Sequence, residues 1–514
     1  MSALRSRQGR LLRGLKHFGM KRCFIIALML LAGMGARAEL ALRHPTGDHM
    51  VLQQNAEAAV WGLASPGATV TVTPSWDGKA YQAKADAKGH WTAYVKTPAA
   101  GYTVYSIDIK GDGGSLTVND VLVGEVWLAS GQSNMEMPMR GFDNCPVAGF
   151  SEFLTQAPAR DRIRMFYAQA DQSDEPLEEV RLTTGWQGAD PNTIPEMSAV
   201  GYFFARKLNQ VLDIPVGIVS FARGGARVES WLPREILAGY GTEDLTPEGV
   251  EKMIFYQRPF QMYYAMETPL QGYTARGFIW YQGCSNVGKE DQFVQRMSDL
   301  VNLWRKDFGD KDNSMPFYMV EIAPYLYDPA NGDSGARLRR AQHEAAKAIP
   351  NSGIVSTNDL VFPYEADNIH PATKEPVGNR LAYMALNRDY GFKNVVCDSP
   401  EAVEVYKRQP PTAEERQRMG PWFREIPANE INVRLENCAN GLDRLQEIEG
   451  LEVCGSDGVW YPVRDVSFNR GSMTIAIDEV KDPRAVRYGW ADFKPGNIHG
   501  MTGLPLVPFC LELK

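Results

Sequence analysis

Between residues 121 and 393, short apolar runs alternate with helical patterns, and this alternation is the feature that most limits the fold. Strands that alternate with helices lie side by side as parallel neighbours, because each helix carries the chain back across the sheet. The pattern therefore predicts an α/β segment with a mostly parallel sheet. The predicted strands cover residues 121–129, 163–167, 215–221, 278–281, 317–322 and 354–356, and the predicted helices cover residues 199–212, 292–308, 335–348 and 377–387.

The regions on either side of this segment mostly lack the helical period. Residues 39–120 contain short strand-like runs divided by Pro-Gly, Asp-Gly and Lys-Gly turn signals, which are typical of a β-sandwich. Strand-like runs return after residue 394, and residues 413–419 are a candidate short helix or loop. We therefore predict an N-terminal β-sandwich region at 39–120, an α/β domain at 121–393 and a C-terminal β region at 394–514.

The first 38 residues predict a secretory signal peptide. Seven basic residues and no acidic residue precede an apolar run at residues 23–34, and a small-residue Ala-Arg-Ala site ends at Ala38. The apolar run is too short for the alternative, an uncleaved membrane anchor, because a spanning helix needs about 20 residues. We expect cleavage near Ala38 and a periplasmic or secreted protein without a membrane anchor.

Charge and cysteine content exclude several classes of protein. The formal net charge is −8, and loss of the basic leader makes the mature chain more acidic still. Proteins that mainly grip nucleic acid need a basic surface, so we exclude that class. Seven cysteines are too few for a disulfide-dense scaffold; Cys438 and Cys454 are one candidate pair, and we assign no connectivity. No Cys-x-x-Cys or His-x-His spacing indicates a zinc site, so we expect no structural zinc.

Two motifs in the α/β segment carry the residue types of a serine hydrolase. Residues 131–135, Gly-Gln-Ser-Asn-Met, follow a predicted strand, where a serine can expose its Oγ at the sheet edge. Residues 367–371, Asp-Asn-Ile-His-Pro, offer a base and a carboxylate that can hold the imidazole tautomer. His343 lies in a helical pattern, so His370 is the better base. Singly, each motif is also explained by a helix N-cap or a surface loop.

Two further strand ends carry candidate donors for an oxyanion. Residues 222–226, Ala-Arg-Gly-Gly-Ala, place two glycines where a backbone N–H can approach a ligand closely. Residues 280–286, Trp-Tyr-Gln-Gly-Cys-Ser-Asn, offer the side-chain amide of Gln282 or of Asn286. Each motif alone is better explained by an ordinary turn. Together the four motifs, each after its own strand or loop in one segment, predict an acyl-transfer site.

At these residues the chain resembles the SGNH (GDSL-like) hydrolase superfamily and, more narrowly, the sialate O-acetylesterase family. The similarity runs motif by motif over almost the whole mature chain, including residues 50–54, 60–62, 123–127, 483–488 and 503–509. The resemblance implies an SGNH-type three-layer α/β/α fold between flanking β-sandwich regions. It also implies a secreted serine esterase that removes O-acetyl groups from glycans or sialic acid without a metal or cofactor.

The resemblance further implies a role for each site residue. Ser133 is the implied nucleophile, His370 the base and Asp367 the residue that orients the base. The implied oxyanion donors are the Ser133 N–H, the Gly225 N–H and the Gln282 side chain. A histidine base with an ordinary pKa of about 6.5 predicts activity that rises through that pH.

Two departures from the family pattern concern the substrate. Cys284 stands where the family usually has Glu, so the hydrogen bonds of that carboxylate are lost or moved. Arg223 stands where the family often has Trp, and Arg227 follows four residues later. Arginines at a pocket mouth pair well with the carboxylate of a sialic or uronic acid, although ion-paired surface arginines are the alternative. Arg223, Arg227 and Asn286 are the candidate substrate-binding residues.

The sequence leaves two other functions open. One is an esterase that acts on acetylated plant polysaccharide, such as xylan or pectin. The other is a non-catalytic carbohydrate-binding protein in which the α/β centre has lost its chemistry; the Cys284 departure is the one feature in its favour. Acetate release distinguishes the enzyme from the binding protein.

Overall fold

A computed structural model describes residues 39–157, 162–409, 412–420, 426, 429–443 and 447–514, so the predicted signal peptide lies outside the described residues. The described strands are β1 Ala41–Leu42, β2 Val51–Gln53, β3 Glu57–Leu63, β4 Thr69–Pro74, β5 Tyr81–Lys84, β6 His90–Lys96, β7 Gly101–Gly111, β8 Gly114–Gly131, β9 Ile163–Ala168, β10 Thr183–Gly188, β11 Val216–Ala222, β12 Gly277–Tyr281, β13 Phe317–Val320, β14 Ser352–Val355, β15 Glu401–Tyr406, β16 Glu430–Glu436, β17 Leu451–Gly455, β18 Trp460–Pro462, β19 Val466–Asn469, β20 Ser472–Ala476, β21 Pro483–Tyr488 and β22 Phe509–Glu512. The described α-helices are α1 Ser133–Glu136, α2 Phe150–Thr155, α3 Ala199–Leu212, α4 Arg234–Tyr240, α5 Pro247–Lys252, α6 Glu290–Asp307, α7 Ser334–Ala348, α8 Glu375–Arg388 and α9 Ala413–Met419.

The chain divides into two compact units. The smaller comprises the described residues up to Arg43, Val60–Ala93 and Ile107–Thr117, and the larger comprises His44–Ala59, Tyr94–Ser106 and Val118–Lys514. In the smaller unit, β4 pairs antiparallel with β5 and with the C-terminal end of β7. Residues of β4 are buried alternately, as its alternation of Thr and Val predicts.

The larger unit contains a mixed sheet with the strand order β10-β9-β11-β8-β12-β13-β14. The strands from β9 to β14 in this order are parallel, whereas β10 pairs antiparallel with β9 at the edge. The α/β class is confirmed, and α3 has the predicted bounds. Sequence reasoning did not predict β10, because this edge strand reads Thr-Thr-Gly-Trp-Gln-Gly and has no apolar run.

Side chains alternate along each strand, so the central strands present apolar side chains on both faces of the sheet. Helices cover both of these faces. Trp127 and Ile279 face one core cluster, which also contains buried residues of α3 and α8. Phe278 and Trp280 point to the opposite face, where their rings lie 5.9 and 5.4 Å from that of Trp304 in α6. The central strands therefore bury both sides, which explains their continuous apolar runs.

The helix α3 shows how local sequence sets an element. Ser198 is its N-cap, and the Ser198 Oγ accepts a hydrogen bond from the Gly201 N–H at 3.1 Å. Asp213, with a φ of 50°, ends the helix in the left-handed region. Phe203 and Leu208 lie on the buried face and join the same core cluster as α8.

Beyond residue 400, the described chain forms two antiparallel four-stranded sheets, β15-β16-β20-β19 and β18-β17-β21-β22. Val433, Ile475 and Val486 belong to one core cluster that both sheets share. Residues 413–419, predicted as a short helix or loop, form α9. All six cysteines in the described residues are unpaired, so the candidate Cys438–Cys454 bond is not formed.

Among the described helices, none combines the length and the apolar character that crossing a membrane requires.

Candidate active site

The strand β8 ends in the turn that carries Ser133. Gly131 closes the strand with a φ of 136°, and a Cβ there would lie 2.2 Å from the Tyr281 carbonyl oxygen, so only glycine fits. The Gln132 N–H donates to that same oxygen at 2.9 Å, and the Gln132 Oε1 accepts from the Gly283 N–H at 2.9 Å. These bonds tie the turn to the end of β12. Ser133, the first residue of α1, is therefore held in a defined place at the sheet edge.

His370 reaches Ser133 from the loop between β14 and α8. The His370 Nε2 lies 2.8 Å from the Ser133 Oγ, although the two residues are 237 positions apart in the chain. A neutral imidazole that carries its proton on Nδ1 accepts the Oγ–H in this geometry. The ring also packs edge-on against Phe142, with 5.2 Å between ring centroids. Tertiary contacts thus bring a serine hydroxyl within hydrogen-bond distance of an imidazole that can serve as its base.

The His370 imidazole is held in its neutral form. Burial and the nearby ammonium of Lys374 lower the pKa of His370 to about 4. Burial also lowers the pKa of Lys374 to about 7, although the carboxylate of Glu365 acts in the opposite direction. At neutral pH the base is therefore free to take a proton from Ser133.

Asp367 lies on the exposed side of the same loop. None of the hydrogen bonds or ion pairs between described residues joins Asp367 to His370. The neighbouring Asn368 holds the loop instead, since its Oδ1 accepts from the His370 N–H at 3.0 Å and lies 3.4 Å from the Cys145 Sγ. An Asn that binds the backbone two residues on is a common turn motif, so this contact had a local signal. The structure brings Ser133 and His370 together, but not Asp367.

The double-glycine turn after β11 runs beside Ser133. A Cβ on Gly224 would lie 3.4 Å from the Ser133 Cβ, but the Gly224 N–H already donates to the Glu136 Oε2 at 2.5 Å. Gly225 has a φ of 76°, and the Tyr256 ring covers the position of any Cβ there. Within the described chain, neither the Ser133 N–H nor the Gly225 N–H donates a hydrogen bond. These two donors are available to a developing oxyanion.

Both amide protons of the buried Gln282 are already in use. Its Nε2 donates to the Ala226 carbonyl oxygen at 3.1 Å and to the Asn286 Oδ1 at 2.7 Å. Asn286 in turn donates to both carboxylate oxygens of Glu229 and accepts from the Val228 N–H. In this structure Gln282 therefore braces the glycine turn. Asn286 is 1% exposed, so the structure gives no support to its predicted contact with substrate.

The two candidate arginines have different surroundings. Arg223 is partly exposed, with its guanidinium 5.2 Å from the centre of the Phe255 ring, and no hydrogen bond or ion pair between described residues uses that guanidinium. Arg227 is 4% exposed, and its Nη2 lies 3.1 Å from the Glu243 Oε2. The structure therefore does not support the prediction that Arg227 lies at a pocket mouth, because its charge is paired inside the fold.

Sequence reasoning missed three polar residues beside the Ser133–His370 pair: Asn134, Glu136 and Lys374. The Asn134 Nδ2 donates to the Ile369 carbonyl oxygen at 3.0 Å, and its Oδ1 accepts from the Lys374 Nζ at 2.8 Å. Burial raises the pKa of Glu136. Asn134 lies within the Gly-Gln-Ser-Asn-Met motif and Glu136 directly follows it, so that motif was a sequence signal for both residues. No comparable motif identified Lys374.

The Cys284 thiol occupies the position of the usual family carboxylate. Burial raises the pKa of this thiol, and the Tyr327 hydroxyl and the Gln132 side chain lie beside it. A thiol with a raised pKa stays protonated at neutral pH, so it is a poor nucleophile and makes only weak hydrogen bonds. The end of β12 and the glycine turn are therefore held mainly by the hydrogen bonds of the Gln132 and Gln282 side chains.

Known proteins resemble the chain over its whole α/β part and beyond. The profile of the family described as carbohydrate esterase, sialic acid-specific acetylesterase, matches residues 123–387, more than half of the chain. The chain belongs to this family. The sialate O-acetylesterases of Mus musculus and Homo sapiens are 28% and 26% identical to it, over 95% and 94% of this chain and 98% and 95% of theirs.

A solved structure agrees with the sequence relatives. The crystal structure of a carbohydrate acetylesterase from Xanthomonas citri is 29% identical, with a TM-score of 0.77 over 92% of this chain and 99% of that one. The protein is thus a carboxylic ester hydrolase and a carbohydrate acetylesterase of the sialate O-acetylesterase type. A non-catalytic binding protein finds no support among these relatives.

Proposed function

We propose that this esterase removes O-acetyl groups from sialic acid or a related acidic sugar through an acetyl-enzyme on Ser133. The observation that carries the proposal is the 2.8 Å contact between the Ser133 Oγ and the His370 Nε2. A serine hydroxyl needs a base within hydrogen-bond reach to become a nucleophile, and a neutral imidazole supplies it.

The proposed reaction has two half-reactions. The Ser133 Oγ attacks the acetyl carbonyl carbon while its proton passes to the His370 Nε2, and the N–H groups of Ser133 and Gly225 bind the oxyanion. Cleavage of the ester C–O bond releases the sugar hydroxyl, which takes the proton from His370. Water then attacks the acetyl carbon, gives one proton to His370 and releases acetate, and the Ser133 Oγ recovers its proton.

Two of the implied roles require side chains to move when substrate binds. We propose that Asp367 turns inward toward the His370 Nδ1, and that Gln282 exchanges its 3.1 Å bond to Ala226, the longer of its two, for the oxyanion. Catalytic hydrogen bonds often tighten only in the substrate complex. An Asp367→Asn variant that keeps more activity than His370→Ala would support this weaker, positioning role for Asp367.

Arg223 is the proposed reader of a substrate carboxylate. Arg223 directly follows the strand β11 and begins the glycine turn beside Ser133. Its guanidinium makes no hydrogen bond within the described chain. A charge-assisted hydrogen bond contributes about 1.5–3 kcal/mol, so Arg223→Gln should raise KM for O-acetylated sialic acid about 10- to 100-fold. KM for a neutral aryl acetate should stay unchanged. Arg181→Gln, which removes an exposed arginine paired with Asp171, is the matched control.

Acetate release from a panel of esters tests the activity. The panel contains 9-O-acetylated sialic acid, acetylated xylan, acetylated pectin and an aryl acetate, each with wild type and with Ser133→Ala. We expect release only from wild type and fastest from the sialic acid ester. Preference for xylan or pectin would instead support the plant-polysaccharide esterase, and release by Ser133→Ala at the wild-type rate would reject the nucleophile.

We also propose an SGNH-type three-layer domain at 121–393 between the two β regions, and export of the chain with cleavage near Ala38. The mixed sheet with helices on both faces supports the first of these. N-terminal sequencing of protein collected outside the cytoplasm tests the second: a mature N-terminus at residue 39 is the expected result, and a retained leader would contradict it.

A further inference from the structure

Lys374 is a buried lysine that touches both catalytic segments. It is 2% exposed and stands at the N-cap of α8. Its Nζ donates to the Asn134 Oδ1 at 2.8 Å and to the Pro371 carbonyl oxygen at 2.6 Å. Asn134 directly follows the nucleophile Ser133, and Pro371 directly follows the base His370. One ammonium group therefore links the two segments that must meet for catalysis.

Asn134 strengthens the same link. While its Oδ1 accepts from Lys374, its Nδ2 donates to the Ile369 carbonyl oxygen at 3.0 Å. The loop is thus bonded to the Ser133 turn on both sides of His370, at Ile369 and at Pro371. These bonds, together with the Ser133–His370 contact, define the separation of nucleophile and base.

The position of Lys374 is unfavourable for a cation on general grounds. Burial of an ammonium group costs free energy, and the N-terminus of a helix repels positive charge. None of the ion pairs between described residues includes Lys374. Residues that are costly for stability and lie beside reacting groups are often kept for function.

We propose that Lys374 is a positioning residue for the hydrolysis proposed above: its buried ammonium joins the Ser133 turn to the His370 loop and presents a positive charge to the imidazole. The inference rests on the proposed function only for the identity of the reaction. The contacts that support the inference are all made between residues of this chain.

The charge of Lys374 has a second effect, on the titration of the base. The groups that act on it are the carboxylate of Glu365, which favours the charged amine, and the thiols of Cys284 and Cys145. The ammonium in turn contributes to the lowered pKa of His370. A neutral residue at this position should let the imidazole take up a proton at a higher pH.

The test measures Ser133 reactivity with a fluorophosphonate between pH 4 and 8, alongside kcat and KM for an aryl acetate. The fluorophosphonate forms a phosphorus–oxygen bond to Ser133 and loses fluoride, so it reports the activated serine without any sugar. The variants are Lys374→Met, which removes both the charge and the donors, and Lys374→Gln, which keeps an amide donor. Lys347→Met, which removes an exposed lysine of α7, is the control. Thermal unfolding confirms that each variant is folded, and Lys374→Gln serves if Lys374→Met is not.

We expect Lys374→Met to lower kcat and the labelling rate about 10- to 100-fold, with KM nearly unchanged, because small misplacements of reacting groups cost about that much. The pH of half-maximal labelling should rise above that of wild type in both variants and stay below 6.5, because the burial of His370 remains. Lys374→Gln should lose less rate, and Lys347→Met should match wild type. Wild-type rates in both Lys374 variants would overturn the inference. A lower rate with an unchanged pH profile would also overturn it, because that result indicates a merely structural role for Lys374.

The same test separates this inference from the proposed function. A wild type that reacts with the fluorophosphonate but releases no acetate would reject the esterase proposal, and the Lys374 variants would still decide the inference. A wild type that does not react with the fluorophosphonate would overturn both.

Discussion

The His370 imidazole, which contacts the Ser133 hydroxyl, lies in an environment that disfavours its protonated form. Burial and the Lys374 ammonium lower the pKa of His370 to about 4. A base with a low pKa is neutral over a wide pH range, but it is also a weaker proton acceptor in the transition state. An inward-turning Asp367 carboxylate would offset this by stabilising the imidazolium that forms during attack, which gives a physical reason for the movement proposed for Asp367.

The first prediction concerns the pH dependence of the wild-type esterase. Only neutral His370 can accept the Ser133 proton, and its pKa is lowered to about 4, so kcat/KM should remain high as the pH falls below 6.5. The measurement is kcat/KM for an aryl acetate from pH 4 to pH 8, in buffers of constant ionic strength. A half-maximal value near pH 6.5 would contradict the lowered pKa, and would match an unperturbed histidine.

At the scale of elements, three strand ends build the site. β8 ends at the Ser133 turn, β11 at the double-glycine turn and β12 at Gln282, and these strands are neighbours in the sheet. The carboxyl ends of parallel strands meet at one edge, so residues far apart in the chain arrive within a few ångströms of each other. The glycines are needed at this edge because neighbouring backbone and rings leave no room for a Cβ.

The second prediction tests the double-glycine turn. Gly225→Ala would force a Cβ into the Tyr256 ring, 2.3 Å from its nearest atom, and would shift the N–H assigned to the oxyanion. Loss of one oxyanion donor should lower kcat about 100- to 1000-fold. Gly241→Ala is the control, because Gly241 also has a positive φ, of 64°, but has open space around it. If both variants lost activity equally, backbone strain rather than the oxyanion donor would be the cause.

A buried carboxyl group, that of Glu267, ends the π-helical turn Tyr263–Glu267 and lies near Asp307, the last residue of α6. Burial, with the nearby Asp307 carboxylate, raises the pKa of Glu267, and the Glu267 Oε1 has no hydrogen-bond partner within the described chain. Gln271 donates to the other oxygen at 2.9 Å. When an acidic group has a higher pKa in the folded than in the unfolded state, the free energy of unfolding of the protein falls as the pH rises. The fall begins at the unfolded pKa, about 4.3, and continues up to the folded pKa.

The third prediction follows from that sign. Glu267→Gln cannot ionise, so its free energy of unfolding at pH 7–8 should exceed that of wild type by about 1–3 kcal/mol. The difference should shrink as the pH falls toward about 4, where wild-type Glu267 is protonated in both states. Denaturant unfolding at several pH values measures it, with the exposed Glu248→Gln as control. A destabilised Glu267→Gln at neutral pH would show that the carboxylate is stabilising after all.

At the scale of the whole molecule, the C-terminal strands are bonded into the α/β part of the larger unit. Asp492 is fully buried, and its Oδ1 accepts from the Gly335 N–H at 2.7 Å and from the Ser334 Oγ at 3.1 Å, at the start of α7. Arg339 of the same helix donates to the Ala491 carbonyl oxygen at 2.5 Å. Contacts of this kind make the stability of the two parts interdependent.

The fourth prediction concerns this coupling. Asp492→Ala leaves the N-terminal N–H of α7 unsatisfied in a buried place, so the free energy of unfolding should fall by about 2 kcal/mol or more. Calorimetry should show one transition, shifted to lower temperature, for the whole larger unit. Asp482→Ala removes a partly exposed aspartate paired with Arg484 and should change little. Separate transitions for the two parts would show that they unfold independently.

The sequence by itself determined the α/β class and the strands and helices of its centre, and it singled out Ser133 and His370 as the candidate nucleophile and base. These follow from local hydrophobic period, from turn chemistry and from the scarcity of histidines. Only the tertiary structure decided which side chains are free. It showed Arg227, Asn286 and Gln282 engaged with buried partners, Asp367 on the exposed side of its loop, and Lys374 between the two catalytic segments. Exposure, hydrogen-bond partners and pKa values depend on residues that are distant in the chain, so no local pattern contains them.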